Sequence, residues 1–364
     1  MNSIKQFNVD RADFERTSLT EVPLPSREVL PDDGLLVKID RFAFTANNIT
    51  YAMLGDSMKY WQLFPAPDGF GNIPVWGFGD VIASKHPQIE EGERLFGYFP
   101  MATHLVIEAA DVSKRGLRDG AAHRQGVAPV YNAYARVGAD PAFAGRQGDY
   151  QALLRPLFML SFLVDDFLAE AEFFGAQQVV LSSASSKTAF GLAHLLHTGR
   201  PSIRVIGLTS GRHSAFAASL GCYHEIVPYD RIDTLLPERA TAFVDMAGNA
   251  ELRSRLHRHF GARLVYSGRV GMTYQDTAEA HDLPGAKPSW FFAPDQIRKR
   301  AKEWGPGGID QRFSAAWAGL VPMLEKSLTI VEGGGVEAVE EVYRQTLAGK
   351  VAPSEGHMVS LVGR

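Results

Sequence analysis

The sequence contains a single cysteine, Cys222, among its 364 residues. One cysteine cannot form an intrachain disulfide, and it cannot build the cysteine-rich zinc sites that stabilise small modules. A protein that needs no disulfides is compatible with a reducing compartment. We therefore expect a cytoplasmic protein.

The chain also lacks a block of basic residues and a long apolar run. It carries 37 Lys and Arg against 41 Asp and Glu, which gives a formal net charge of −4. Nucleic-acid binding needs a concentrated positive face, and a membrane-spanning helix needs about 18 or more consecutive apolar residues. Residues 1–14 are polar and charged, unlike an export signal. We expect neither nucleic-acid binding nor membrane insertion nor export.

The first third of the sequence consists of short alternating segments separated by Gly, Pro and Asp. Segments of this kind predict strands, and many short strands with little helix between them are typical of a small β-barrel. The predicted strands cover residues 35–44, 75–83, 94–98 and 104–108.

From residue 155 onward the pattern changes to alternating strands and helices. A broad apolar face predicts a helix over 155–172, with Pro156 in its first turn. Strands are predicted at 178–181, 203–208, 224–227, 242–245 and 263–268, and helices at 188–197, 214–220 and 250–260. This alternation predicts a doubly wound α/β domain with a parallel sheet. We expect residues 270–330 to be irregular apart from a charged helix over 296–304, followed by a helix at 336–347 and a strand at 357–362.

Four local patterns occur in an order that carries a family resemblance. They are R-F-A-F-T-A-N-N-I-T-Y-A-M-L-G at 41–55, I-P-V-W-G-F-G-D-V-I-A at 73–83, E-G-E-R-L-F-G at 91–97, and the succession V-V-L-S-S-A-S-S-K-T-A-F-G-L-A, V-I-G-L-T-S-G-R, A-S-L-G-C-Y-H-E-I-V-P-Y-D and F-V-D-M-A-G-N. Across nearly the whole chain, this order resembles the zinc-free quinone-reductase and enoyl-reductase side of the medium-chain dehydrogenase/reductase superfamily. More narrowly, it resembles a divergent and poorly characterised branch.

The resemblance implies a GroES-like β-barrel catalytic domain and a Rossmann dinucleotide-binding domain. The boundaries we predict are 1–135 for the catalytic domain, 136–290 for the Rossmann domain, and 291–364 for a return segment that completes the catalytic domain. The resemblance also implies a homodimer formed through a sheet edge. We expect the strand at 263–268 and the residues after it to form that edge.

The phosphate-binding loop departs from the family pattern. Where A-x-G-x-x-G is usual, this sequence reads Ala184-Ser185-Ser186-Lys187-Thr188-Ala189, so both glycines that allow close approach of a pyrophosphate are replaced. Hydroxyl groups, a positive charge and a helix N-terminus remain to bind an anion. The predicted ligands are Ser183, Ser185, Ser186, Lys187 and Thr188. The alternative is a plain surface loop.

The end of the second Rossmann strand predicts NADP(H) over NAD(H). An NAD enzyme of this fold usually has Asp or Glu there, whereas this strand ends L-T-S-G-R. Thr209, Ser210 and Arg212 could bind a 2′-phosphate through charge-assisted hydrogen bonds. Alternatively, Arg212 only begins an exposed helix.

The family's zinc-ligand positions contain neither Cys nor His, so we expect no catalytic metal. Reduction without a metal needs a polar group to stabilise or protonate the developing oxyanion or enolate. The candidates for this group are the phenol of Tyr51 and the side-chain amide of either Asn47 or Asn48. Tyr60 is an alternative proton donor that could form the substrate wall with Trp61. These aromatic residues could equally belong to the barrel core.

A further candidate is Asn132, which follows Tyr131 in Y-N-A-Y. It is a candidate contact to the nicotinamide or, equally, a turn-forming residue. The function that we predict is NADPH-dependent reduction of an α,β-unsaturated carbonyl, quinone or ketone, with an apolar or aromatic carbonyl compound as substrate. The alternatives are a non-redox lyase or hydrolase on the same scaffold, and a non-catalytic small-molecule-binding protein.

Overall fold

The structure, a computed structural model, describes residues 3–143, 145–270 and 283–363. The chain divides into two compact units. Unit 1 comprises Met1–Leu153 and Thr329–Arg364, and unit 2 comprises Leu154–Leu328. The boundaries predicted from the sequence, after residues 135 and 290, differ from this division, which falls within a long helix and after Leu328.

Short strands dominate the first part of unit 1. In chain order the elements are β1 (Ser3–Asp10), β2 (Thr17–Pro23), β3 (Gly34–Phe44), α1 (Ala46–Met53), β4 (Phe70–Gly71), β5 (Pro74–Ser84), β6 (Arg94–Pro100), β7 (His104–Ala110), β8 (Gly116–Asp119) and β9 (Ala133–Arg136).

Strands and helices then alternate, and the chain returns to unit 1 for its last three elements. The order is α2 (Gly145–Glu170), β10 (Gln178–Leu181), α3 (Lys187–Gly199), β11 (Arg204–Thr209), α4 (Ser214–Ser219), β12 (Glu225–Pro228), β13 (Thr241–Asp245), α5 (Ala250–Phe260), β14 (Leu264–Arg269), β15 (Ser289–Trp290), α6 (Ala293–Trp304), α7 (Gly308–Ser327), β16 (Thr329–Gly334), α8 (Val336–Leu347) and β17 (Glu355–Ser360).

Unit 1 contains a closed barrel. Its strands run in the order β16-β17-β3-β5-β6-β9-β8-β7, and β7 pairs with β3 to close the ring. A separate antiparallel sheet has the order β2-β1-β4. Inward-facing apolar residues of the barrel strands form the core, among them Val37, Ile39 and Leu95. The closed barrel agrees with the prediction. Alternate residues of each strand point to the same side, so the apolar ones face the interior together.

One buried ion pair lies in this barrel. The side chains of Arg124 and Asp119 are each about 1% exposed, with Nε of the arginine 3.2 Å from the carboxylate. The guanidinium also lies over the rings of Phe64 and Tyr134. A buried charge is tolerated when it is paired and packed in this way. The pair therefore fixes the segment that leads into Asn132, whose amide nitrogen donates to the carbonyl of Arg124.

Unit 2 is built on a parallel sheet with the order β12-β11-β10-β13-β14-β15. The two central strands read Q-V-V-L and T-A-F-V-D, and all of these residues are buried. Nearly continuous apolar strands are expected for a parallel sheet that is covered on both faces. The predicted doubly wound architecture is therefore confirmed.

Two predictions for unit 2 need correction. Residues 308–327 are not irregular but form α7, whose buried Phe313, Trp317, Leu320 and Leu324 follow helical spacing. Pro322 lies inside that helix and Gly319 interrupts its apolar pattern, which hid the periodicity. The helix predicted over 155–172 begins at Gly145, so Pro156 lies inside it rather than in its first turn.

The strand predicted at 263–268 as a dimer edge is internal among the described strands. It corresponds to β14, which pairs with β13 on one side and with the two-residue β15 on the other. Residues 271–282, which follow it in the sequence, lie outside the described residues. In the described part of the chain, no helix is both long enough and apolar enough to cross a membrane.

Candidate active site

Three strands of unit 2 end side by side at the carboxyl edge of the parallel sheet. They are β10, β11 and β13, which end at Leu181, Thr209 and Asp245. In doubly wound folds, ligands bind at this edge because the loops that leave the strands converge there. The loop from Ser182 to Ser186 leaves β10 and leads into α3.

The carboxylate of Asp245 organises this edge. Its Oδ1 accepts hydrogen bonds from the hydroxyl of Ser182 at 3.0 Å and from the backbone of Gly248 at 2.9 Å. Its Oδ2 accepts from Arg253 at 3.0 Å, and this ion pair is almost completely buried. The hydroxyl of Ser182 in turn accepts from the backbone of Met246 at 2.8 Å. Each charge and hydroxyl is thus satisfied, which holds the ends of β10 and β13 together.

Two tyrosines from the next part of the chain hold the loop. The hydroxyl of Tyr229 accepts from the backbone nitrogen of Ser183 at 3.0 Å, and that of Tyr223 donates to the carbonyl of Ala184 at 2.8 Å. The nitrogen of Ala184 donates to Leu208 in β11 at 2.9 Å. The Cβ of Ala184 fills the space beside Gly207, where another side chain would clash with it. The loop is therefore ordered without the usual glycines.

Ser183 has a left-handed backbone, with φ of 52°. This is a conformation that glycine adopts readily, while residues with a Cβ are destabilised in it by about 1–2 kcal/mol. Ser183 therefore adopts a left-handed turn although it is not glycine, just before the segment in which the two glycines are replaced. Its strain is sustained by the bond from its nitrogen to Tyr229.

Helix α3 begins directly after this loop. Ser186 is its N-cap, and its hydroxyl accepts from the backbone of Ala189. Lys187 and Thr188 are the first two helical residues, at the end where backbone N–H groups and the helix dipole favour an anion. Thr188 is half-buried, and its carbonyl accepts a hydrogen bond from Ser161. The structure thus brings all five predicted phosphate ligands into one turn of chain and one helix start.

The end of β11 lies beside this loop. The hydroxyls of Ser185 and Thr209 are 3.3 Å apart, and Ser185 also contacts Nδ1 of His213 at 3.4 Å. The hydroxyl of Ser210 is buried and has no hydrogen-bond partner among the described residues. Arg212 is exposed, and residues 209–219 contain neither Asp nor Glu. A group with several acceptor oxygens and negative charge fits these donors, as a 2′-phosphate would.

The candidate catalytic residues of unit 1 lie in a cluster of tyrosines. The ring centroids of Tyr51 and Tyr60 are 4.9 Å apart, and those of Tyr51 and Tyr98 are 5.5 Å apart. The hydroxyls of Tyr60 and Tyr131 are hydrogen-bonded at 2.9 Å. Trp76 packs on Tyr98 at 4.8 Å. The structure therefore brings Tyr51 and Tyr60 together, as the prediction of alternative donors requires.

Burial keeps these phenols protonated. It raises the pKa of Tyr51 above its usual range, an effect that the Tyr131 hydroxyl reinforces and that contacts with Trp76, Tyr98 and Asn47 partly offset. It also raises the pKa of Tyr60 to about 12. Both side chains are therefore potential hydrogen-bond and proton donors throughout the neutral range.

Asn47 and Asn48 have different surroundings. The side-chain oxygen of Asn48 accepts from the backbone of Thr45 at 2.8 Å, and its nitrogen donates to the carbonyl of Pro74 at 2.9 Å. Asn48 is thus a buried capping residue. Asn47 is half-buried, one helical turn before Tyr51, and its side chain lies against the phenol hydroxyl. Of the two amides, Asn47 is the one beside a candidate donor.

Two other residues singled out from the sequence, Trp61 and Asn132, are buried in unit 1. Trp61 belongs to the barrel core, where Gly55 and Gly71 leave room for its indole, so it is not a substrate wall. Asn132 is buried in the same unit, where its nitrogen donates to Arg124. Its side-chain oxygen is buried without a hydrogen-bond partner among the described residues. A contact between Asn132 and the nicotinamide stays a prediction.

Several residues of the site were missed from sequence. The tyrosines that hold the loop occur in the quoted run C-Y-H-E-I-V-P-Y-D, but spacing alone does not show that their hydroxyls reach back to the loop. Ser182 directly follows one apolar strand and Asp245 ends another, a signal that could have placed them at the carboxyl edge. His213 follows Arg212, and its polarity next to a predicted phosphate ligand could have identified it.

Within residues 3–143, 145–270 and 283–363, no group of three His, Cys, Asp or Glu is arranged to hold a metal ion. Zinc independence stays a prediction from the sequence. The candidate chemistry of the described residues is that of hydroxyl, amide and guanidinium donors.

Comparisons with known proteins place the chain by family and by fold. A family model described as "Protein of unknown function (DUF2855)" matches residues 42–352. A sequence search of curated proteins finds no match.

Solved structures match over almost the full length. CurA from Vibrio vulnificus in complex with NADPH has a TM-score of 0.63 at 13% identity, covering 99% of each chain. The quinone oxidoreductase from Coxiella burnetii has a TM-score of 0.54 at 12% identity, and the yhdH oxidoreductase from Salmonella enterica in complex with NADP has 0.54 at 13%; both cover 98% of this chain and 99% of theirs. The predicted fold is thereby confirmed.

The strain at Ser183 leads to a stability prediction. Ser183→Gly should raise the free energy of unfolding by about 0.5–1 kcal/mol, because relief of the left-handed conformation exceeds the larger unfolded-state entropy of glycine. Urea denaturation measures this. The neighbouring Ala184→Gly is the matched control and should lower stability, since its backbone is not left-handed and its Cβ packs beside Gly207. Equal destabilisation by both variants would contradict the assignment of strain to Ser183.

Proposed function

The chain belongs to the DUF2855 family of proteins of unknown function, and from the geometry of its two units we propose that it is an NADPH-dependent reductase. Its substrate in this proposal is an α,β-unsaturated carbonyl, a quinone or a ketone, reduced by hydride transfer without zinc. The observation that carries the proposal is the end of β11. There, hydroxyl and guanidinium donors replace the acidic residue that would repel a 2′-phosphate.

In this proposal the 2′-phosphate of the cofactor contacts Ser210 and Arg212. The buried hydroxyl of Ser210 has no partner among the described residues, so a phosphate oxygen would satisfy it. Arg212 is exposed and adds a positive charge. The hydroxyl of Thr209 is buried, and it orients Ser185 toward the same place.

The pyrophosphate would bind at the loop and the start of α3. In place of a close approach between backbone and pyrophosphate, the hydroxyls of Ser183, Ser185 and Thr188 would donate to its oxygens. Lys187 would add a positive charge. The amides of the first helical turn point toward the anion, as in other helix N-terminal phosphate sites. Support comes from the ordering of this loop by Tyr223 and Tyr229, since a preorganised donor set costs little entropy on binding.

The comparisons support an oxidoreductase with this cofactor. CurA is described in complex with NADPH and the yhdH oxidoreductase in complex with NADP, and another structure with this fold is the CurK enoyl reductase. At 12–13% identity these structures share the fold with our chain. The residues at the end of β11 supply the independent reason to extend the cofactor to this protein.

The nicotinamide of a bound NADPH would supply the hydride. The residues of unit 1 supply what remains, which is a donor to the oxygen or carbon that gains negative charge. Tyr51 is the proton donor in our proposal, with Asn47 as a second hydrogen-bond donor beside it. Tyr60 is the alternative donor, and its bond to Tyr131 offers a path for replacing the proton. Asn132 would accept a hydrogen bond from the carboxamide.

The uncharged surroundings of Tyr51 indicate the polarity of the substrate in our proposal. Among the described neighbours of Tyr51, the groups that act on its pKa are aromatic or amide side chains and not charged ones. An apolar or aromatic carbonyl compound suits such surroundings better than a substrate with a carboxylate near the reacting carbon. A cytoplasmic location and a homodimer formed through the edge of the parallel sheet also remain part of the proposal. The exposed Trp290 in β15 is a candidate contact for that dimer.

A cofactor titration tests the proposal. NADPH should bind with a dissociation constant in the micromolar range, and NADH at least about tenfold more weakly, because one or two charge-assisted hydrogen bonds are lost. Arg212→Ala should remove most of this preference and leave NADH binding unchanged. Nicotinamide fluorescence measures both constants. The control is Arg258→Ala, an exposed arginine on α5. If neither nucleotide binds, the function proposed here is wrong.

Replacement of Tyr51 tests the proton donor. Tyr51→Phe should lower kcat/KM for an enone or quinone substrate by about 100-fold, the usual contribution of a general acid, with NADPH affinity unchanged. Because burial raises the pKa of this phenol, the wild-type rate should show no loss from its deprotonation between pH 6 and pH 9. Tyr343→Phe, which removes another buried hydroxyl in unit 1, is the matched control. Full activity in Tyr51→Phe together with a loss in Tyr60→Phe would transfer the role to Tyr60.

A further inference from the structure

His213 lies between the two parts of the site in unit 2. It is half-buried, directly after Arg212 and at the start of α4. Its Nδ1 contacts the hydroxyl of Ser185 in the phosphate loop, and that hydroxyl contacts Thr209 at the end of β11. The imidazole is therefore joined to both segments assigned to the cofactor phosphates.

One ring nitrogen of this imidazole remains available for a ligand. Within the described part of the chain, Nδ1 is used by Ser185, whereas Nε2 makes no hydrogen bond. If Nδ1 accepts from the serine hydroxyl, the neutral ring carries its proton on Nε2 and presents it as a donor. The buried and unpartnered hydroxyl of Ser210 lies three residues before it, in the same turn. Two unused polar groups thus accompany Arg212.

From this arrangement we propose that His213 is a specificity-determining residue, which binds the cofactor's 2′-phosphate as an imidazolium and makes the preference for NADPH over NADH stronger as the pH falls. The proposal rests on the function proposed above. It adds a ligand and a pH dependence that neither the strand-end sequence nor Arg212 alone would produce.

The surrounding charges fit this role. The charged group that acts on His213 is Arg212, whereas Ser185 and Thr209, from the loop and from β11, are uncharged. Burial, and then the charge of Arg212, lower the pKa of His213 below its usual value. The ring is therefore mostly neutral at pH 7 when no ligand is bound. No carboxylate in residues 209–219 competes with a ligand for it.

The sign of the pH effect follows from linkage. A bound phosphate dianion raises the pKa of the imidazole, so binding is accompanied by proton uptake. The added affinity is present at low pH and is lost as pH rises through the pKa of the bound form. The phosphate itself, with a second pKa of about 6, has the opposite trend because it loses charge at low pH. The ratio of wild-type to variant affinity removes this ligand effect.

The experiment compares NADPH and NADH binding to the full-length protein and to His213→Gln from pH 5.5 to 8.5, by nicotinamide fluorescence. Glutamine retains a polar side chain and cannot become charged. At pH 6, His213→Gln should bind NADPH about tenfold more weakly than wild type, the usual effect of one charge-assisted hydrogen bond. At pH 8.5 the two should agree within about twofold, and NADH affinity should be the same for both proteins at every pH. His197→Gln, an exposed histidine on α3, should behave as wild type.

Calorimetry in buffers of different ionisation enthalpy provides a second readout. NADPH should bind with net proton uptake by wild type and with less by His213→Gln, while NADH should show no such difference. A variant-to-wild-type affinity ratio that is constant with pH would overturn the proposal. Equal losses for NADPH and NADH would also overturn it, because they would place His213 against a part common to both nucleotides. Absence of NADPH binding at every pH would instead contradict the underlying function.

Discussion

The carboxylate of Asp245 is the group on which the candidate cofactor site most depends. Parallel strands end at a common edge, but their loops take defined positions only if the polar groups there are satisfied. Asp245 accepts from Ser182, Gly248 and Arg253, and Ser182 accepts in turn from the segment after β13. The buried ion pair is costly unless every partner is present. Its presence fixes the point from which the phosphate loop departs.

A loop without its usual glycines can therefore still be a phosphate site. Ser183, which precedes the two replaced glycine positions, adopts a left-handed conformation although it is not glycine. Tyr223 and Tyr229 hold the loop through hydrogen bonds to its backbone. Side-chain hydrogen bonds thus hold the loop in a defined conformation without the usual glycines. The serine hydroxyls of the loop are hydrogen-bond donors. In our proposal, the loss of the glycines changes how the phosphate site is built and not the anion that it binds.

Periodic patterns predicted most of the fold, because they report which face of an element is buried. Helix α8 was placed at its observed bounds, and β3 within one residue, since each has a regular apolar pattern. Helix α7 was missed because Gly319 and Pro322 interrupt its pattern, and only packing of its buried aromatic residues shows why it forms. Local pattern does not contain that information.

The candidate site was predictable in part for the same reason. Residues that follow a strand, such as Thr209, Ser210 and Arg212, are placed by the fold itself. Distinguishing Asn47 from Asn48 required the hydrogen bonds of Asn48 to Thr45 and Pro74. Trp61 belongs to the core because the nearby Gly55 and Gly71 leave room for its indole. Such assignments depend on side-chain contacts that the sequence pattern does not show.

In our proposal, the hydroxyl-lined loop from Ser182 to Ser186 and the basic end of β11 form an NADP(H) site. A crystal structure of the protein grown with NADPH tests it most directly. We expect the pyrophosphate at the start of α3, with Ser185 and Thr188 as ligands, and the 2′-phosphate in contact with Ser210 and Arg212. A nucleotide bound elsewhere, or a 2′-phosphate without contact to the end of β11, would contradict it.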